Sequence, residues 1–350
     1  MSIHFGGFTV DSEIDCYGFR KSEDFNEKLY REFLESYRPV LARRLKRWEK
    51  FFYPASTNEI STVALLNKKF RKKTLTRFIH KGIPASLRPR VWLAVTGAEE
   101  AISTHPNTFE VYSCTKLPND VVNAIELDLD RTFPDNEHFQ KRGGNGRVAL
   151  KQVLRALAAR RPDIGYCQGF NFIAGMLLLI MNSPERAFWL MDSILDRFPQ
   201  DFYGSHLHGV RVEIRLLKML IAEKAEDVDA VLNRFDVDLA LMTTKWFICW
   251  FLENLPIETV LRLWDCLFSD GGGADLLTRA AFTLITHHRE RLLRCTNFQH
   301  VADLFQRGMT ADSFAMDCHS FIQETYDKTK WLSSSRLKEL RRQIISSNDY

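Results

Sequence analysis

The chain has 350 residues, of which 45% are hydrophobic and 26% charged, with a formal net charge of +4. That length holds one large domain or two ordinary ones, and 26 Phe and 7 Trp supply an aromatic-rich core for a soluble globular protein. The charge is too small to argue from the whole chain for a nucleic-acid partner, and none is expected.

Met1 to Val10 lack a basic stretch followed by an apolar run, so no signal peptide is expected. From Ser22 to about Phe52, apolar residues (Phe25, Tyr30, Phe33, Tyr37, Leu41, Leu45, Trp48) recur at steps of three to five, which predicts a helix. Pro54 to Asn58 breaks it. Residues 67–81 carry Lys68, Lys69, Arg71, Lys72, Lys73, Arg77 and Lys81. Two readings of this run stay open. It is a solvated helix face ahead of the main domain, favoured because only Phe70 and Phe78 interleave, or a site for acidic membrane or nucleic acid.

Gly82-Ile83-Pro84 opens a new segment, and a helix starts at Arg88. Asn119-Asp120 can cap a helix that runs to about Arg131 and stops at Thr132-Phe133-Pro134. Arg142 to Arg147 is glycine-rich, but no Gly-Lys-Ser/Thr follows, so it reads as a flexible connection and not a phosphate cradle. Leu150, Val153, Leu154 and Leu157 predict an amphipathic helix ended by Pro162. Phe170 to Met181 is the longest apolar run, well short of the roughly 20 residues that span a bilayer. It reads as a helix buried on most sides. Ser183-Pro184 caps the next, and further helices are predicted at 210–223, 228–235, 239–253, 257–268, 274–293 and 311–326, with a last, exposed one at Arg336 to Arg342. Gly271-Gly272-Gly273 is the other strong breaker. No segment alternates at period two for long, so the fold is expected to be all-α.

Seven cysteines (16, 114, 167, 249, 266, 295 and 318) form no CxxC pair and mostly sit beside apolar residues, which predicts reduced, buried thiols and a cytoplasmic protein. No histidine spacing suits a metal, and no metal site is expected.

Two stretches ask for chemistry. In Ile125-Glu126-Leu127-Asp128-Leu129-Asp130-Arg131, Asp128 and Arg131 are three apart and share a helix face. The pair is either a surface salt bridge or a brace that points the guanidinium in one direction. Gly165-Tyr166-Cys167-Gln168-Gly169 formally matches a G-x-nucleophile-x-G elbow with Cys167 as nucleophile. That elbow needs a strand before it, and a helix is predicted there instead, so Cys167 is read as a small core residue. Gln168 projects from a glycine-flanked turn with a donor and an acceptor. It either orients a water beside a phosphate oxygen or caps backbone groups of the turn.

Five stretches in order then resemble the TBC domain of GTPase-activating proteins for Rab GTPases. They are Gly82-Ile83-Pro84 with Arg88 and Trp92, Ile125-x-x-Asp128-x-x-Arg131-Thr132-Phe133-Pro134, Gly165-Tyr166-Cys167-Gln168-Gly169-Phe170-Asn171, Trp246-Phe247, and Leu255-Pro256 through Arg262-x-Trp264-Asp265. The likeness spans roughly 82–272, with 1–75 as an N-terminal helical extension and 273–350 as C-terminal helices continuing the same body. The flanks, with Asp15-Cys16-Tyr17-Gly18-Phe19, are most similar to the short growth-hormone-regulated TBC proteins. Phe170 stands where the family usually has Met.

The resemblance implies a V-shaped multi-helix domain that activates a partner's enzyme rather than turning over a substrate of its own. Arg131 would be an arginine finger and Gln168 a glutamine finger, both supplied in trans to a GTP-bound Rab. Asp128, Tyr166, Gly169 and Asn171 would support them. Trp92 would be core, and Arg88 a buried ion-pair member or a secondary contact. GTP and Mg²⁺ would belong to the partner, so no cofactor is expected. The place of action would be the cytoplasm, peripheral to endomembranes, in vesicle traffic. The competing class is a non-catalytic module that binds a GTPase or an acidic membrane.

Overall fold

The computed structural model describes residues 13–21, 26–52, 72–199, 201–270, 273–309 and 312–347. Lys68, Lys69 and Arg71 of the basic run, the Pro54–Asn58 breaker and Gly271-Gly272 lie outside the described residues. Among the described residues the fold is all-α: no strand forms, and two isolated β-bridges are the only extended pairings.

Helix α1 spans Glu27–Phe52 and turns Leu34, Tyr37, Arg44 and Trp48 inward, a stripe at helical spacing. The Trp48 indole donates to the Gly82 carbonyl at 2.9 Å, which ties α1 to the segment that opens the main body. Helix α2 is Lys72–His80. A short 3₁₀ turn at Ala85–Leu87 leads into α3, Arg88–Thr96, with proline in its first turn and a left-handed Gly97 at its end. Next come α4 (Ala98–Thr104) and α5 (Thr108–Cys114), both too short for periodicity to register in the sequence. They precede α6 (Asn119–Arg131), which begins after Pro118 with no side-chain cap. Helix α7 is Asn145–Arg160, α8 is Phe170–Met181 and α9 is Pro184–Leu195. The glycine-rich stretch before α7 is more closely held than expected. Asn145, Gly146 and Arg147 are already helical, and Arg147 bonds both the Asp130 carboxylate and the Phe139 carbonyl at 2.5 Å.

The described residues group into two units. The first runs up to Leu195 and includes residues from Trp264 in α13 (Ile257–Asp270). Within it α8 is the central element: it packs on α7, α9, α6 and α3, and ten of its residues are buried. That explains why it is apolar apart from Asn171, because a helix covered on most sides has no polar face to keep.

The second unit holds α10 (His208–Lys224), α11 (Glu226–Arg234), α12 (Leu239–Ile248), α14 (Gly273–His287), α15 (Arg289–Leu293), α16 (Phe298–Asp303), α17 (Ser313–Met316), α18 (Cys318–Lys328) and α19 (Ser334–Ser347). Helix α10 packs on α11, α12, α14 and α19. Three sequence expectations are corrected here. The helix expected over 239–253 stops at Ile248, because Trp250 and Phe251 take left-handed conformations (φ 49° and 65°). The unwinding buries both rings, Trp250 stacked on Phe198 at 5.5 Å and donating to the Tyr203 hydroxyl. The helix expected over 274–293 is interrupted at His288, whose ring bonds the Leu284 carbonyl and the Asp312 carboxylate. The last helix is not simply exposed: Leu337, Leu340 and Ile344 are buried, and Arg341 reaches Glu213 and Asp275.

None of the seven cysteines is in a disulfide, yet only Cys249, Cys266 and Cys318 are buried; Cys16 and Cys114 are exposed. No described helix is long and apolar enough to cross a membrane.

Candidate functional site

Helix α6 carries the first half of the site. Ile125, Asp128 and Leu129 face inward and are buried. Arg131 ends the helix with its side chain 56% exposed. Its guanidinium engages Asp128 through Nε, 2.5 Å from Oδ1, and through Nη2. Asp128 is almost fully buried. The pair is therefore a brace and not a surface bridge: a sealed carboxylate grips one edge of the planar fork, and the other edge is turned outward. Among the described residues nothing else accepts from it.

The chain turns sharply after Arg131. Thr132 is extended, and Phe133 takes a left-handed φ of 45° immediately before Pro134. A bulky residue in that region costs about 1–3 kcal/mol and persists only where its surroundings hold it. Here the Phe133 ring lies among Phe19, Phe139 and Phe172, at centroid distances of 5.0, 5.9 and 5.5 Å. It also abuts Gly175 of α8, where an added Cβ would meet the ring at 3.0 Å, so a larger residue there would press on the ring.

The loop between α7 and α8 carries the second half. Its start is pinned where Arg161 donates to the Asp192 carboxylate (2.5 Å) and carbonyl (2.9 Å). Its end is Gly169, whose φ of 109° lets α8 begin directly after the turn. Gln168 is exposed at the tip, and its carboxamide makes no hydrogen bond to the described residues. The alternative that Gln168 caps the turn is not what the structure shows. Asn171 does that instead: its Oδ1 accepts from the Gly169 amide at 3.1 Å.

The two halves are joined by a closed ring of hydrogen bonds. Tyr166 donates to Asp128 Oδ2 at 2.5 Å. Thr132 Oγ1 donates to the Asp128 carbonyl at 2.6 Å. Asn171 Nδ2 donates to Thr132 Oγ1 at 2.9 Å, and Asn171 Oδ1 returns to the loop at Gly169. Asp128, Thr132 and Asn171 are buried. Buried polar groups with every partner in place hold one geometry. The ring thus orients Arg131 through Asp128 and frames Gln168 between Tyr166 and Gly169.

Charge follows from burial. The Tyr166 hydroxyl is raised far above its ordinary value, first by burial and then by its bond to the Asp128 carboxylate, so it stays a donor. The Cys167 thiol is pushed up to about 12, by burial first and by Asp128 second. A thiol held protonated is a poor nucleophile. With a helix on each side of the loop and no strand, the elbow reading fails on both counts. Asp130, next to Arg131, is held below the usual carboxylate range by its bond from Arg147, with Arg142 adding to it.

Six of the eight singled-out residues therefore come together: Arg131, Gln168, Asp128, Tyr166, Gly169 and Asn171. Arg88 and Trp92 do not join them. They converge on Asp265, with Arg88 Nε at 3.2 Å and Trp92 Nε1 at 2.9 Å from its Oδ1, in a cluster where all three are sealed from solvent. Trp189, Trp246 and Trp264 are likewise core. Two residues escaped the sequence reading. Thr132 is the hinge of the ring and gives no signal apart from its position. Leu127, one turn before Arg131 on the same outer face of α6, is 70% exposed. An apolar residue on the side of the helix opposite Ile125 and Leu129 was the available signal.

Among the described residues no cluster of three or more His, Cys, Asp and Glu suits a metal ion. The site supplies one free guanidinium edge, one free carboxamide and one apolar side chain, all on fixed backbone.

Comparison with known proteins gives a consistent result. The family described as the Rab-GTPase-TBC domain matches residues 85–293. The human growth hormone-regulated TBC protein 1 is 36% identical over 329 residues, 94% of each chain. The Danio rerio growth hormone-regulated TBC protein 1-A is 35% identical over 331 residues, 94% of this chain and 89% of that one. The crystal structure of the Chlamydomonas flagellar RabGAP TBC domain superposes with a TM-score of 0.72 over 90% of this chain and 98% of that one; at 24% identity it speaks for the fold alone.

Proposed function

The chain belongs to the Rab-GTPase-TBC domain family, and from that premise we propose that it stimulates GTP hydrolysis by a GTP-bound Rab, lending Arg131 and Gln168 to the partner's nucleotide site. Transfer of a phosphoryl group to water needs positioning and charge neutralisation more than covalent help. Arg131 offers the free edge of its fork to the developing negative charge on the phosphate oxygens. Gln168 offers the carboxamide pair that can bond the attacking water and a phosphate oxygen at once. Asp128 and Tyr166 touch neither and act as positioning residues. Leu127 supplies apolar contact beside the arginine. GTP and Mg²⁺ are the partner's, and the protein works in the cytoplasm on GTPases at endomembranes.

The observation that carries this reading is the hydrogen-bonded ring. It ties the two segments into one rigid frame and leaves the Arg131 and Gln168 side chains exposed to solvent. A structural salt bridge would have no use for an exposed arginine braced by a buried acid, nor a turn for an unbonded glutamine. The test is a hydrolysis screen against GTP-loaded Rabs. The wild-type chain should accelerate at least one, and Arg131→Ala and Gln168→Ala should each remove most of the about 10³–10⁵-fold that such a finger supplies. Full stimulation by both variants would refute the assignment. Binding to a GTPase with no faster hydrolysis on any Rab would favour a non-catalytic module.

A further inference from the structure

The turn at Asp15–Arg20 grips the segment that follows Arg131. The Asp15 carboxylate accepts from the amides of Tyr17 and Phe19, both at 2.9 Å, and the Gly18 amide donates to the Asp15 carbonyl at 3.1 Å. This is a turn closed by its own aspartate. Its outer edge is bonded to residues 136 and 137. Asn136 Nδ2 donates to the Tyr17 carbonyl at 2.8 Å, and the Glu137 amide donates to the Gly18 carbonyl at 3.0 Å. Phe19 pairs with Asn136 in an antiparallel bridge and sets its ring edge-on to Phe133 at 5.0 Å. Asp15, Tyr17 and Asn136 are buried, so these bonds are sheltered from water.

Phe133 is where three parts of the site meet. It lies two residues after Arg131, in a left-handed conformation. Its ring touches Phe172, which lies in the first turn of the helix that follows Gln168. Phe139 and Phe19 wall the ring on its other sides. A strained residue keeps its conformation only while its neighbours hold it, and one of these neighbours comes from more than 110 positions away in sequence.

We propose that the Asp15–Phe19 turn is a positioning clip for the catalytic arginine, in which Phe19 sets the rate of hydrolysis through Phe133 without contacting the reacting atoms. The inference rests on the proposed roles of Arg131 and Gln168. Displacing a catalytic group by about 1 Å can cost on the order of 10²-fold, so a loosened wall is enough to be measured.

The test uses full-length Phe19→Ala and Phe19→Tyr chains in single-turnover hydrolysis of a GTP-loaded Rab, with the activator titrated to excess. The two ways of losing activity separate there. Partial unfolding lowers the active concentration, which raises the half-saturating concentration and leaves the plateau rate alone. A misdirected arginine lowers the plateau. Phe19→Ala should lower the plateau about 10-fold, with half-saturation within about twofold of wild type, and Phe19→Tyr should restore it. Should Phe19→Ala fail to fold, Gly18→Ala disturbs the same turn, since its φ is +86° and the new Cβ would meet His138 at 2.8 Å. A plateau fall of about threefold is expected there. An unchanged plateau in a folded variant, beside an Arg131→Ala chain that has lost stimulation, overturns the clip and leaves the finger assignment standing. An Arg131→Ala chain with a full plateau overturns both.

Discussion

Two buried aspartates in the first unit collect almost the same partners and use them differently. Asp128 takes Arg131 and the Tyr166 hydroxyl; Asp265 takes Arg88, the Trp92 indole and the Ile83 amide. Both are at most 2% exposed. The difference lies in the arginine. Arg88 is 1% exposed, whereas Arg131 is 56% exposed. A sealed arginine spends its fork on the fold. An arginine gripped along one edge, at the last residue of a helix, leaves the other edge open to solvent. The comparison teaches that a buried acid beside an arginine does not by itself mark either a structural or a functional site. The solvent boundary decides which it is.

Four substitutions put that contrast to the test. Arg131→Lys keeps the charge and loses the fork, so stimulated hydrolysis should fall by most of about 10³–10⁵-fold, or about 4–7 kcal/mol of barrier, in single-turnover assays. The denaturant midpoint should fall by much less than the rate does, since the lysine charge still faces the Asp128 carboxylate. Asp265→Ala should do the reverse. It leaves Arg88 buried without its carboxylate, which costs about 3–5 kcal/mol of stability in chemical denaturation. Activity per folded molecule should stay near wild type. If instead Asp265→Ala lowered the plateau rate of a fully folded chain, the two clusters would not be separate in role.

Tyr166→Phe removes one donor from the buried Asp128 carboxylate and cuts the ring between the two halves. The loss should be about 1.5–3 kcal/mol of stability, seen in denaturation, with a plateau rate several-fold lower. No rate change would mean that the ring holds the fold and not the fingers. Leu127→Ala should have the smallest effect. It should raise the half-saturating concentration several-fold with the plateau intact, since an exposed side chain contributes to association, at about 1–2 kcal/mol, and not to the chemical step.

Much of the site was legible because its geometry is local. Three-residue spacing places Asp128 and Arg131 on one face of any helix, and Pro134 limits how far that helix can run. Glycines at 165 and 169 predicted the turn that presents Gln168, and both have positive φ. Asp265 as the partner of Arg88 was not legible from spacing, since 177 positions separate them. Nor was the turn at 15–19 as a wall for Phe133, or the unwinding at Trp250 and Phe251, where burying two rings outweighs a helical pattern. Helix α19 was misjudged for a similar reason: a charged stretch looks exposed until Glu213 and Asp275 are found opposite Arg341.

Local pattern was enough for the all-helical class and for the ends of the elements around the site. These depend on dihedral preferences and side-chain spacing within a turn or two of helix. Which arginine is sealed and which is exposed, and which distant segment holds the strained Phe133, emerged only in the packed chain. Burial is set by chain segments far apart in sequence packing against each other, and no local pattern carries that information.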